Sequence, residues 1–284
     1  MSDASMAPVG DLRSPEALLL ADVGNSRIKL AVVDNRGQDA DGRSSGLPTI
    51  CHRRDIDAHG LRADHLRGWL RTVAPGPALV LVASVHDAAA AMLEMTLAEE
   101  SATGRRRLRQ QRIGHLDLPL RIALDEPHKV GIDRLAAAAA ATLVKPRDQG
   151  AIVVDCGTAA TVDMISADGH YLGGAILPGP GLMARALAKG TSKLPDVRAL
   201  QEGDPPAMPG RNTREAIEAG IGWGMRGAIA AVVAQARMSL GAHAAVILTG
   251  GWGRAVLPAV PDAIEMPDLV LAGIALASRR ACRQ

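Results

Sequence analysis

Two short segments of the chain each place an aspartate, a glycine and a hydroxyl at the end of an apolar run. One reads DVGNS at 22–26, and the other reads DCGT at 155–158. A glycine turn between two β-prone runs lets backbone N–H groups and a hydroxyl come close to an anion. The two aspartates lie 133 positions apart, nearly half of the 284-residue chain. This repeat predicts two similar half-domains that face one phosphate-bearing ligand.

A third segment with chemical potential is GIDR at 131–134, which runs into an alanine-rich stretch that ends near Val144. An acidic residue such as Asp133 is favoured in the first turn of any helix by the helix dipole, and that ordinary role stays open. Beside Arg134, however, the same carboxylate has a basic neighbour. An Asp-Arg pair at a helix start can supply both a general base and a receptor for a carboxylate.

Phosphoryl transfer needs positioning and charge stabilisation more than covalent chemistry from the protein. The chain has no GxxxxGK[ST] motif, which excludes a P-loop. Facing glycine hairpins would instead donate hydrogen bonds to phosphates, and an aspartate at a strand end can hold hydrated Mg²⁺. A separate carboxylate would accept the proton of an acceptor alcohol.

The elements that must position these residues follow from hydrophobic periodicity and turn signals. We expect an α/β chain with a polar tail at 1–16, one half-domain at 17–148 and a second at 149–284. Residues 35–60 read as a connecting region, and the basic segment at 105–112 as the solvated face of a helix. Predicted strands lie at 17–34, 78–83, 151–166, 171–177 and 244–249, and predicted helices at 61–73, 86–100, 182–189, 212–240 and 268–280.

Composition excludes several classes of protein. The chain is 48% hydrophobic and 22% charged, with 1% aromatic residues, no Phe and a net charge of +2. Stacking platforms for single-stranded nucleic acid need aromatic side chains, so we expect no nucleic-acid partner. No apolar stretch reaches the roughly 18 residues of a membrane span. Three widely spaced cysteines fit a reducing cytoplasm, so we expect a soluble cytoplasmic protein.

Taken together, the motifs resemble the type III pantothenate kinase family in their order and approximate spacing. They are DVGNSRIK at 22–29, GIDR at 131–134, DCGTAATVD at 155–163, GGAILPG at 173–179 and TSKLP at 191–195. The resemblance implies an actin-like fold of two RNase-H-like domains with an ATP cleft between them, usually as a homodimer. It also implies ATP-dependent phosphorylation of pantothenate to 4′-phosphopantothenate, the first step of coenzyme A synthesis.

The resemblance also implies residue roles. Asp133 is the expected general base, and Asp155 matches the site of an activating monovalent cation, K⁺ or NH₄⁺. Asp22 is expected near the Mg²⁺ that accompanies ATP. The expected ATP-binding residues are Asp22, Val23, Gly24, Asn25, Ser26, Arg27, Ile28, Lys29 and Thr158. The expected pantothenate-binding residues are Gly131, Ile132, Asp133, Arg134 and Thr191.

Two positions depart from the family pattern. Ser26 stands where the family usually has Thr, and it keeps the hydroxyl. Leu124 stands where a Tyr commonly contacts pantothenate, and one lost hydrogen bond costs about 0.5–1.5 kcal/mol. Two other readings stay open: a catalytically silent relative that serves as a regulatory or binding protein, and a kinase of another small alcohol in the same superfamily.

Overall fold

The computed structural model describes residues 17–34, 46–104, 106–197 and 206–278, and its strands form two mixed sheets. The first sheet contains β1 (Ala17–Val23), β2 (Arg27–Asp34), β3 (Thr49–Asp57), β4 (Ala78–Ser84) and β5 (Leu108–Arg112). The second contains β6 (Arg121–Ile122), β7 (Ala151–Cys156), β8 (Ala159–Ile165), β9 (His170–Pro178), β10 (Ala245–Thr249) and β11 (Ile264–Glu265).

The two sheets repeat one topology. The first has the order β3-β2-β1-β4-β5, and the second has β9-β8-β7-β10-β11, with β6 added beside β9. In each sheet the first three strands form an antiparallel meander, and the last two run parallel to the first. This is the order of the RNase-H-like fold, and its duplication gives the predicted actin-like arrangement of two domains.

Six α-helices accompany the sheets in the described part of the chain. They are α1 (Ala63–Val73), α2 (Asp87–Ala102), α3 (Ile132–Val144), α4 (Pro180–Gly190), α5 (Thr213–Leu240) and α6 (Leu269–Leu276). Helices α1 and α2 pack with one face of the first sheet, where Leu66 and Leu93 join Leu19 in one core. Helix α5 packs with the outer face of the second sheet, where Ile221 and Ile229 meet Val154.

Helices α3 and α6 occupy the space between the two sheets. Their core includes Leu20 from β1 and Val153 from β7, so it belongs to both domains. The backbones of the two helices come very close, because a Cβ added to Gly273 would lie 1.9 Å from the carbonyl oxygen of Ala136. The alanine-rich sequence of α3 therefore serves close helix packing, and it sets the distance between the two halves of the site.

Helix α5 is long and apolar enough to cross a membrane by length and composition alone, and no other helix in the described residues is. A core helix of a soluble protein passes the same test. Asn212 caps this helix by accepting a hydrogen bond from the backbone N–H of Glu215. The buried face of α5 lies in the core of the second sheet, so packing accounts for its apolar residues.

The structure corrects two expectations about local structure. Residues 49–57, predicted as part of a connecting region, form β3 at the edge of the first sheet. Its turn-rich composition hid a strand whose exposed side chains are mostly charged. The basic segment predicted as a helix face contains β5 instead, where Arg112 pairs with Glu94 of α2 at 2.9 Å. Arg105 lies outside the described residues, as do the predicted tail at 1–16 and the end of the final helix at 279–280.

The division near residue 148 falls between α3 and β7, and it stays a prediction. Two elements contact the sheet on the other side of it. Strand β6 at 121–122 pairs with β9 of the second sheet, and α6 packs against β1 and β4 of the first. Each RNase-H-like unit thus receives one element from the other part of the sequence.

Candidate active site

A cleft opens between the two sheets at the ends of their central strands. Strands β1 and β7 end in Asp22-Val23 and Asp155-Cys156, and each is followed by a glycine turn into the next strand. The cleft is lined by residues of both halves: Asp22, Gly24, Asn25, Ser26, Arg27, Lys29, Val85, Asp133, Arg134, Asp155, Gly157, Thr158, Ala159, Thr161 and Gly251. The equivalent ends of two repeated units therefore face a single cavity, as the duplicated motif predicts.

Both glycine turns are closed by backbone hydrogen bonds. The N–H of Gly24 donates to the carbonyl of Arg27 at 2.9 Å, and the N–H of Gly157 donates to that of Ala159 at 3.0 Å. The two turns also touch, since the hydroxyl of Thr158 donates to the hydroxyl of Ser26 at 2.8 Å. Residues distant in the sequence thus form one polar surface across the cleft.

A third turn, Gly250-Gly251 after β10, packs against the β7–β8 hairpin at Cys156 and Gly157. Gly250 has a φ of 92°, and a Cβ there would lie 2.4 Å from the backbone nitrogen of Cys156. A Cβ on Gly251 would lie 2.7 Å from Nη2 of Arg27. The indole N–H of Trp252 donates to the carbonyl of Gly157 at 2.7 Å. Gly250 permits this approach because a side chain there would overlap the backbone of Cys156, and the close packing fixes the position of the Gly157 turn.

One lysine and three aspartates give the cleft its electrostatic character. Lys29 lies opposite Asp22 in the β1–β2 pair, and its Nζ is 3.2 Å from Oδ2 of that aspartate. Burial acts to lower the pKa of Lys29, but the negative charges of Asp22 and Asp155 outweigh it and raise the pKa. Lys29 therefore stays protonated and is suited to bind a phosphate as a point charge.

Asp155 is the most perturbed acid of the cleft. Burial raises its pKa most, Lys29 acts in the opposite direction, and the charges of Asp133 and Asp22 also raise it, which together give a pKa of about 6. Burial and the charge of Asp22 also raise the pKa of Asp133. Such a concentration of carboxylates in a cleft, with raised pKa values, is typical of functional sites that bind cations or transfer protons.

Asp133 is held in the first turn of α3 by its own neighbours. Its Oδ1 accepts a hydrogen bond at 2.8 Å from the backbone N–H of Arg134. A Cβ on Gly131 would lie only 2.5 Å from the same oxygen, so the carboxylate occupies space that any other residue at 131 would fill. The glycine before the helix therefore permits the orientation of the predicted base.

Arg134 turns toward the second sheet and pairs with a buried aspartate. Its Nη2 and Nε donate to Oδ1 of Asp163 at 2.6 and 3.0 Å, and the hydroxyl of Tyr171 donates to the same oxygen at 2.7 Å. Asp163 is 1% exposed. Burial acts to lower the pKa of Arg134, but the hydrogen bonds and charge of Asp163 raise it.

Four other predicted site residues have side chains that do not line the cleft. Val23 and Ile28 are buried in the core of the first sheet, and Ile132 in the core between the sheets, so their side chains do not face the cleft. Thr191 also lies outside the cleft, at the end of α4, where its hydroxyl donates to the carbonyl of Leu187 at 2.8 Å.

Sequence reasoning missed several residues of the site, among them Val85, Thr161 and Asp163. Thr161 lies directly opposite Asp155 in the β7–β8 pair. Its Oγ1 is buried and has no hydrogen-bond partner. A signal for Asp163 exists in the sequence, since it is the one charged residue of the β-prone segment 159–165.

The donor set around Asp155 fits a cation. Carboxylate and hydroxyl oxygens are the ligands of hard cations, and the unpaired oxygen of Thr161 would gain a partner from an ion beside Asp155. No group of three or more His, Cys, Asp or Glu side chains that could hold a metal occurs within the described residues. Any cation here would therefore rely on backbone, hydroxyl or phosphate oxygens for its remaining ligands.

The duplicated topology and the cleft between its halves define the actin-like fold. The model of the type III pantothenate kinase family matches residues 18–235 of the chain. The chain belongs to this family. It is 32% identical over 266 residues to the type III pantothenate kinase of Alkalilimnicola ehrlichii, which covers 92% of this chain and 97% of that protein.

Another relative matches more closely over a shorter segment. The type III pantothenate kinase of Halorhodospira halophila is 40% identical over 161 residues, which covers 56% of this chain and 61% of that protein. Several of the similar relatives are matched over about half to two thirds of their own length.

Among solved structures, a Campylobacter jejuni protein described as a Baf family transcriptional activator covers 94% of this chain and all of its own. It is 18% identical, with a TM-score of 0.54. At this identity the similarity supports the fold only.

Proposed function

We propose that this protein transfers the γ-phosphoryl group of ATP to the primary hydroxyl of pantothenate and forms 4′-phosphopantothenate for coenzyme A synthesis. Membership of the kinase family supports the substrate and the reaction. The single observation that carries the assignment is the cleft itself, where two glycine hairpins face the raised-pKa carboxylate of Asp133.

On the ATP side, the turns at 22–29 and at Thr158 are the proposed phosphate-binding surfaces. Lys29 supplies the positive charge, and the hydroxyls of Ser26 and Thr158 supply hydrogen bonds. Val23 and Ile28 would contribute through their backbone groups, because their side chains are buried. Mg²⁺ bound with ATP would neutralise charge that develops on the phosphates, and Asp22 is the proposed carboxylate beside it.

On the acceptor side, Asp133 is the proposed general base for the primary hydroxyl of pantothenate. Its raised pKa brings its proton affinity closer to that of a useful base near neutral pH. Arg134 is the proposed partner of the pantothenate carboxylate, and Gly131 and Ile132 form the backbone around it. Thr191 remains a proposed substrate contact, although its hydroxyl lies outside the cleft of a single chain.

Asp155 is the proposed ligand of an activating K⁺ or NH₄⁺ ion, supported by the buried oxygen of Thr161 beside it. Bound there, the cation would offset the charge of the carboxylates near the phosphates. This explains how an anionic hairpin can lie next to an anionic nucleotide.

The proposed setting is a homodimer in the cytoplasm. Exposed apolar side chains on β9 and α4, namely Leu172, Ile176, Leu182 and Leu187, provide surface that a second copy would bury. Sedimentation analysis of the purified protein tests the dimer, and a monomer at micromolar concentration would contradict it.

The reaction is tested by ADP release from Mg-ATP in the presence of pantothenate and K⁺. We expect pantothenate-dependent turnover that Na⁺ in place of K⁺ lowers. Asp133→Asn should lower kcat by about 10²- to 10⁴-fold, since a general base contributes that much. Asp148→Asn, which makes the same change at an exposed position in the turn between α3 and β7, is the matched control. Nucleotide binding without turnover of pantothenate would overturn the proposal.

A further inference from the structure

Arg134 occupies an unfavourable place for a cation. It lies in the first turn of α3, where the helix dipole disfavours positive charge. Asp163, in the middle of β8, offsets this charge from inside the protein. A buried ion pair of this kind often stabilises a fold no better than apolar residues of the same volume. Stability alone is therefore a weak reason for the pair, and its geometry suggests another.

The pair leaves one side of the guanidinium unused. Asp163 accepts hydrogen bonds from Nε and Nη2 of Arg134, whereas Nη1 makes no hydrogen bond to any described residue. Arg134 lines the cleft, and its side chain is 15% exposed. A guanidinium whose one edge is fixed by a buried carboxylate presents its remaining donors in one orientation.

Tyr171 fixes the aspartate in turn. It is fully buried on β9, and its hydroxyl donates to the same Oδ1 that accepts from Arg134. Burial and the charge of Asp163 raise the pKa of Tyr171, so the phenol stays protonated and keeps its donor. The Asp163 carboxylate is thereby held by two donor side chains on two different elements, α3 and β9.

We infer that Asp163 and Tyr171 are positioning residues, which hold Arg134 so that it selects an acceptor with a carboxylate. The inference rests on the proposed function, because it deepens the role given there to Arg134. Leu124 makes the orientation of Arg134 more important for binding the acceptor. It contacts the same core as Tyr171 and offers no hydrogen bond, so carboxylate recognition depends more heavily on Arg134.

The test uses Tyr171→Phe, which keeps the ring and removes only the donor, and Asp163→Asn as the stronger change. Two ligands are compared: pantothenate, through its KM, and pantothenyl alcohol, in which a hydroxymethyl group replaces the carboxylate, through its Ki. We expect Tyr171→Phe to raise the KM for pantothenate about three- to tenfold, the equivalent of one hydrogen bond. The Ki of the alcohol and the KM for ATP should change less than twofold.

Thr96→Val is the matched control, because it removes a buried hydroxyl from α2 at a position that does not line the cleft. Melting temperatures of all variants separate loss of folding from loss of recognition. The inference is overturned if Tyr171→Phe weakens pantothenate and the alcohol equally, or if it changes only the melting temperature. Absence of turnover by the unaltered protein would instead overturn the proposed function.

Discussion

The hydroxyl of Thr158 donates a hydrogen bond to the hydroxyl of Ser26, with 2.8 Å between the oxygens and 132 positions between the residues. Each hydroxyl belongs to one of the two repeated hairpins. The two hydroxyls satisfy each other, and a phosphate placed between the hairpins would compete for both. Their pairing therefore holds the two halves of the proposed phosphate site in register.

This bridge predicts coupling between the two residues in ATP binding. Ser26→Ala and Thr158→Ala should each raise the KM for ATP by up to about tenfold, since each removes one hydrogen bond of about 0.5–1.5 kcal/mol. The double variant should lose less than the sum, because each single change already removes their shared bond. Thr72→Ala, which removes an exposed hydroxyl from α1, is the control. Strict additivity would show that the two hydroxyls act independently.

Gly131→Ala should separate orientation of the base from its chemistry. The new Cβ would lie 2.5 Å from Oδ1 of Asp133 and must displace the carboxylate. We expect kcat to fall about 10²-fold, because small misplacement of a reacting group has that effect. The KM for ATP should hardly change, since the phosphate turns are untouched. Gly68→Ala in α1, where a Cβ meets nothing within 4 Å, is the control.

The raised pKa of Asp133 predicts the acid side of the rate profile. The base works only when it is ionised, and burial shifts its pKa above 3.8. We therefore expect kcat to fall on acidification at a pH above the usual titration range of an aspartate. Steady-state rates between pH 3.5 and 8 at saturating substrates measure this. An acid limb at pH 4 or below would contradict the assignment of Asp133 as the base.

The pKa of about 6 for Asp155 predicts a pH-dependent effect of cations on stability. Because the folded pKa lies above the value of 3.8, the neutral form favours folding, and this contribution is lost as the pH rises through about 6. A bound K⁺ would stabilise the ionised carboxylate of Asp155 and so restore the stability that is lost when the carboxylate ionises. The melting temperature should thus rise more with K⁺ at pH 7.5 than at pH 5. Asp155→Asn should abolish the difference, and an equal K⁺ effect at both values would contradict the site.

Gly273→Ala should destabilise the protein at the contact of α3 with α6. Its Cβ would lie 1.9 Å from the carbonyl oxygen of Ala136, so the helices must separate. We expect a loss of about 1–3 kcal/mol in the free energy of unfolding, as for other overpacked cores. Gly224→Ala in α5 is the control, because a Cβ there meets nothing within 4 Å, and alanine favours helix. Denaturant unfolding of both variants measures the difference.

The hairpins and the presence of two similar units were predictable because their signals are local, whereas the actin-like fold was implied by the resemblance to the kinase family. An apolar run, an aspartate and a glycine turn specify a strand end, and the repetition of that pattern predicted two units with one cleft. Strand β3 was missed because its charged residues at an exposed sheet edge break the alternation that marks a strand. Strand β5 was missed for a similar reason, since its arginines resemble a solvated helix face.

The second layer of the site was not predictable from the sequence. Asp163 reaches Arg134 only through the pairing of β8 within the second sheet and the packing of α3 against it. The close approach of the Arg27 guanidinium to Gly251 likewise depends on how the two domains meet. Such contacts join residues that are far apart along the chain, and no local pattern records them.

The near contact of Gly273 with Ala136 has a mechanical consequence. Leu135 of α3 and Leu271 and Ile274 of α6 share one buried core, so the two helices cannot slide past each other without repacking. Helix α3 carries Asp133 and Arg134 in its first turn, and α6 contacts β1, which ends next to Asp22. The rigid contact between the two helices thus keeps the proposed base at a constant distance from the proposed phosphate site, through a surface that touches neither nucleotide nor acceptor.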